Sequence, residues 1–199
     1  MKKILIATRN NDKFRIISEL LSSNNFKDSI FYSLNNIEEE ITDEKETGDV
    51  IHRSLQKALN AYNNIKAEYD YIIGVDDGIK IKEKMIENVK DYIKSIVDDK
   101  FLVQNEKVFI VRAYTFINKQ GTYKSIVTEI PFEYMKLQEK IDISENSYPL
   151  SYVLSPIGFS KVVTQLSDEE SNLYYLKYSQ SEFDKVEKFF NNVQWCRSF

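Results

Sequence analysis

Lys13 closes the segment Thr8-Arg9-Asn10-Asn11-Asp12-Lys13, directly behind the apolar run Ile4-Leu5-Ile6-Ala7. Phe14, Ile17, Leu20 and Leu21 then recur at helical spacing, so the region reads as strand, tight turn and amphipathic helix. A lysine in the first turn of a helix opposes the macrodipole and suits an anion gathered by the unpaired N–H groups there. The plainer alternative has Asn10 or Asn11 capping the helix and Lys13 solvated. The segment lacks the glycines of a P-loop.

Asp76 and Asp77 form the second group, behind the buried-strand run Tyr71-Ile72-Ile73-Gly74-Val75. Two carboxylates at a strand end could hold Mg²⁺ with substrate phosphates and position a water. Asp-Gly between two strands is equally a hairpin signal, and Ile79-Lys80-Ile81-Lys82 alternates as a half-exposed strand should. A third group is Lys57, on the flank of a helix whose apolar stripe is Ile51, Leu55, Ala58, Leu59, Tyr62 and Ile65. Solvated lysine and ligand contact both fit that flank. Lys13, Lys57, the acidic stretch from Glu38 to Glu46 and Asp76-Asp77 together offer cationic grips for a triphosphate and anionic grips for its metal.

The elements that must position these groups are those of a soluble domain. At 199 residues the chain suits one domain, residues 1–199, with 42% hydrophobic and 29% charged residues and only 5 Gly and 3 Pro. A net charge of −4 and a pI near 5.3 argue against nucleic acid as a partner, because duplex binding needs a basic surface. No apolar run approaches the roughly 18 to 20 residues of a membrane span. The single Cys196 cannot form an internal disulfide, and with no leader-like segment the expectation is cytoplasmic. His52 is the one histidine, which excludes a multi-histidine zinc site, and it reads as a surface residue near a helix start.

Further along, Ser29 to Leu34 is a strand, a helix starts behind the N-cap Asp49, and Met85 to Val97 has a helical apolar face. Lys107 to Ile117 and Tyr123 to Ile130 form a hairpin around Asn118-Lys119-Gln120-Gly121, with Pro131 ending or bending it. The last third holds an irregular segment around Pro149 and Pro156, then two helices capped by Ser167 with Glu170 and by Ser181 with Asp184. This is an α/β class with a mixed, partly antiparallel central sheet flanked by helices.

The chain resembles the inosine/xanthosine triphosphate pyrophosphatases that clear damaged purine nucleotides. Thr8 to Arg15 is similar to the family's opening signature, Glu46-Thr47-Gly48 with Lys57-Ala58 to its second motif, and Val75-Asp76-Asp77-Gly78-Ile79 to its third. Arg112-Ala113-Tyr114-Thr115-Phe116 resembles its central strand, and Ser155 to Lys161 running into Gln165 to Glu170 its C-terminal pattern. The resemblance implies two lobes around a nucleotide cleft and a homodimer. It implies that Thr8, Asn10, Lys13 and Lys57 contact phosphates, that Glu46 (or Glu44, within the alignment), Asp76 and Asp77 bind Mg²⁺, and that Asp77 is catalytic.

The C-terminal part departs from the family. Pro149-Leu150-Ser151-Tyr152 replaces a Gly/aromatic/Asp/Pro segment, Ser171 replaces a lysine, and Tyr175-Leu176-Lys177 falls on a Ser-His-Arg triplet. Base recognition therefore differs, with Tyr152, Tyr175 and Lys177 as base-binding residues. Tyr148 and Tyr174 are further aromatics for stacking, against the alternative of core packing. The expected activity is Mg²⁺-dependent hydrolysis of a nucleoside triphosphate to monophosphate and pyrophosphate. A nucleotide-binding protein of weak or lost catalysis and a structural α/β module are the rival readings.

Overall fold

The computed structural model of the chain describes residues 1–23, 26–37, 41, 46–65, 68–86, 103–135 and 149–195. β1 (Lys2–Ile6), α1 (Asn11–Ser22) and β2 (Ser29–Ser33) form a parallel unit, and α2 (Val50–Ile65) leads into β3 (Tyr71–Ile81), which pairs in parallel with β1. β5 (Lys107–Asn118), β6 (Tyr123–Tyr134) and β7 (Leu154–Pro156) extend the sheet antiparallel, while the short β4 (Lys84–Ile86) folds back on β3. Among the described residues this gives one seven-stranded mixed sheet in the order β2-β1-β3-β5-β6-β7, with β4 beside β3. The fold is the mixed α/β class expected.

Helices cover both faces, which is why Ile4, Leu5 and Ile6 are all buried although neighbours in a strand point opposite ways. On one face Ile4, Ile6, Ile73 and Val75 pack with Ile17, Leu20 and Leu21 of α1 and with Phe183 and Val186 of α3 (Asp168–Trp195). On the other, Leu5, Ala7 and Ile72 pack with Ala61 and Ile65 of α2. None of the described helices is long and apolar enough to cross a membrane.

Four local expectations give way. Asp76-Asp77-Gly78 is not a turn: β3 runs unbroken through it, Asp76 opposite Ala113 and Asp77 opposite Arg112. The reversal comes later, at Lys82 and Glu83, whose φ values of 49 and 61 carry the chain into β4, so Met85 and Ile86 are strand; the remainder of the helix expected there lies outside the described residues. β6 continues through Pro131, where β7 has not yet begun to pair and no N–H is demanded on that flank. The two C-terminal helices are one. Ser167 and Glu170 exchange the hydrogen bonds of a capping box at 2.9 and 3.1 Å, whereas Ser181 sits inside α3.

Candidate functional site

β1 stops at Ile6, opposite Ile73, and β4 begins pairing only at Ile79, so along that edge residues 74–78 of β3 have no described strand beside them. A cavity of about 310 Å³ opens here, lined by Thr8, Arg9, Lys13, Glu46, Gln56, Lys57, Asn60 and Val75, among others. Lys13 reaches it from α1 and Lys57 from α2, so cations from two separate helices meet at one polyphosphate-sized space.

The turn behind β1 is tightly tied. Asn10 caps α1 by accepting from the Lys13 backbone N–H at 2.8 Å, and its own N–H donates to Thr8 Oγ1 at 3.2 Å. Asn35 donates to the Arg9 carbonyl and to Asn11 Oδ1, both at 3.0 Å, and Arg9 donates to the Ile41 carbonyl. Asn10 is thus the helix cap, and the same cap sets Lys13 at the cavity wall.

The two aspartates serve opposite faces of the sheet. Asp76 turns to α2, where Arg53 Nε donates at 2.6 Å and Lys57 Nζ at 2.5 Å; Lys57 also meets Glu46 at 3.0 Å. Asp77 turns to the α1 side, where Arg112 donates through Nε at 2.6 Å and Nη2 at 3.2 Å, and Lys13 Nζ lies 3.0 Å away. Burial on its own would raise the Asp77 carboxyl, but Arg112 and Lys13 overcome it and hold the group well below the usual carboxylate range. Burial likewise works against the Lys57 ammonium, and Asp76 with Glu46 reverses this, keeping it charged above its ordinary value. Asp77 and Asp49, which caps α2 by accepting from the His52 N–H at 2.9 Å, both stay ionised through neutral pH.

Glu46, Asp76 and Asp77, the carboxylates expected to share Mg²⁺, do not stand as a group; Glu44 lies outside the described residues. Among the described residues no three of His, Cys, Asp and Glu come together in a way that could hold a metal. A Mg²⁺ ion needs oxygens meeting at one point about 2.0–2.1 Å away. Carboxylates leaving opposite faces of one strand, each on its own cations, do not fit a resident ion of that kind.

The residues expected at the base lie elsewhere. Tyr175 is in the core with its ring 5.7 Å from the Arg112 guanidinium, Lys177 is exposed over Tyr178, Tyr152 is half-buried, and none of the three lines the cavity. Tyr174 donates to the Pro131 carbonyl and accepts from the Ile157 N–H at 2.9 Å, a structural tie; Tyr148 lies outside the described residues. Two cations of the site, Arg53 and Arg112, carry no functional signal in the sequence motifs. Arg53 stands four residues before Lys57 and so shares its helix face. Arg112 interrupts an otherwise apolar strand, and a charge there demands a counter-charge.

No protein-family model matches the chain, and no curated protein does. Solved structures do. A HAM1 protein from Coxiella burnetii superposes with a TM-score of 0.63 at 14% identity, covering 94% of this chain and 99% of that one. The Staphylococcus aureus Ham1 protein gives 0.58 at 15% identity, covering 96% and 100%. A nucleoside-triphosphatase / dITP/XTP pyrophosphatase from Mycobacterium abscessus gives 0.55 at 16% identity, covering 88% and 94%. The chain has the fold of these Ham1-type proteins, the architecture that its sequence motifs imply.

Proposed function

We propose that this protein binds a nucleoside triphosphate in the cavity beside β3 and hydrolyses it to the monophosphate and pyrophosphate. The observation that carries the reading is the meeting of Lys13 and Lys57 on one cavity, each paired with an aspartate of β3. Lys13, Lys57 and Thr8 would take the phosphate oxygens, and Asn10 would act through the turn it caps. In the reaction a water oxygen bonds to the α-phosphorus in line as the bond to the bridging oxygen breaks, and pyrophosphate leaves with its charge on the lysines. Asp77 orients that water; held so far below the usual range, it is a poor proton acceptor, and the water proton passes to solvent.

Arg112 also favours a second reading, a nucleotide-binding protein of low turnover, since it occupies both oxygens of the carboxylate that would meet the water. The resemblance further implies a homodimer, and the single cysteine a reducing cytoplasm. One experiment separates the two readings: the protein is incubated with normal, deaminated and methylated nucleoside triphosphates, with and without Mg²⁺, and products are read by phosphorus NMR. Monophosphate and pyrophosphate in equal amounts support the enzyme. Binding without product supports the second reading, and neither binding nor product rejects both.

A further inference from the structure

We infer that this site grips polyphosphate directly with Lys13 and Lys57, while Arg53 and Arg112 neutralise the aspartates those lysines leave, so that no bridging divalent metal is needed. The inference rests on the nucleotide reading above and specifies how the anion is held.

Strand geometry is the first support. Because β3 is continuous, Asp76 and Asp77 are successive residues of a pleated strand and project to opposite faces, one to α2 and one to α1. No single ion can take an oxygen from each while both remain so placed. The second support is saturation. Asp76 has Arg53 and Lys57 within 2.6 Å, Asp77 has Arg112 at 2.6 Å and Lys13 at 3.0 Å, and Glu46 shares Lys57 at 3.0 Å. Among the described residues four cations thus face three carboxylates, and Arg9 on the cavity wall adds a further positive charge.

The third support is Arg112 itself. It is 5% exposed, and its Nη1 has no hydrogen-bond partner among the described residues, as is also true of the Tyr114 hydroxyl. Burying a guanidinium with one nitrogen unpaired costs stability, and such a group in a folded protein calls for an explanation. Neutralising Asp77 from within the sheet supplies one: with Arg112 fixed on Asp77, Lys13 can leave that carboxylate for a phosphate without stranding a buried charge. Arg53 does the same for Lys57 at Asp76. The arginines, fixed by their forked geometry, stay with the aspartates, and the flexible lysines at the cavity wall exchange partners.

The test is calorimetric titration of the full-length protein with inorganic tripolyphosphate and with ATP, each in EDTA and in excess Mg²⁺. Tripolyphosphate affinity in EDTA should be equal to or above that in Mg²⁺, because Mg²⁺ masks the oxygens the lysines seek, and Lys13→Met or Lys57→Met should lower it about tenfold. Affinity that disappears in EDTA and returns with Mg²⁺ would overturn the inference and leave the nucleotide reading intact. No heat from either probe in either buffer removes both. Electron paramagnetic resonance with Mn²⁺ and no phosphate gives an independent readout: free Mn²⁺ alone is expected, and a stoichiometric bound signal would overturn the inference.

Discussion

Asp77 shows how much one side chain can depend on its partners. Its depressed titration means that it contributes stability at pH values above the ordinary carboxylate range, about 4, and that this contribution is lost as pH falls toward its folded value. Acid unfolding followed by circular dichroism should therefore steepen below about pH 4, and Asp77→Asn should flatten that limb. At neutral pH the same substitution leaves Arg112 buried without its counter-charge, an expected loss of about 3–5 kcal/mol in denaturant titrations, most of it recovered in the double variant with Arg112→Met. Where Asp77→Asn is still folded, pyrophosphate release should fall about a hundredfold or more with triphosphate binding retained; turnover near wild type would refute its role. Lys13, Lys57 and Asp77 stand out because each sits in a motif whose resemblance ties it to phosphate or metal. Arg53 sits in no such motif and Arg112 in one that resembles only a strand, and the partners of both are carboxylates 23 and 35 residues away.

The element whose reading went furthest astray is β3. Asp-Gly between apolar runs is a hairpin signature, yet here arginines and lysines neutralise both aspartates, and Gly78 serves packing: a Cβ there would lie 2.9 Å from Val50 Cγ1 and Met85 Cε. Gly74 has a similar task. A Cβ at that position would come within 1.9 Å of the Ser54 carbonyl, so α2 can approach the sheet only over a glycine. Gly74→Ala should cost about 3 kcal/mol or more and displace α2 with Arg53 and Lys57, which thermal unfolding and the loss of tripolyphosphate binding would register together. At the C-terminal helix the sequence offered two serine caps, and the structure uses one. Ser167→Ala should lower stability by about 0.5–2 kcal/mol, whereas Ser181→Ala, exposed on an inner turn, should be neutral or slightly stabilising in the same melting experiment.

On the scale of the molecule, the parallel β1-α1-β2 unit and the antiparallel β3-β5-β6 ladder meet where β1 ends, and the cavity lies in the gap their unequal lengths leave. That meeting explains why most strand and helix types were readable from local periodicity while the split of the acidic pair was not: register and face follow from how far each neighbour runs. The net charge of −4 also means that attraction for a polyanion is local, so triphosphate binding should weaken steeply with added salt. Whether Lys13 and Lys57 jointly hold one triphosphate is decided by calorimetric binding of ATP to wild type, to each lysine-to-methionine variant and to the double variant. Affinity should fall about tenfold for each variant and about a hundredfold for the pair, with folding unchanged. Undiminished affinity in the double variant would contradict that joint hold.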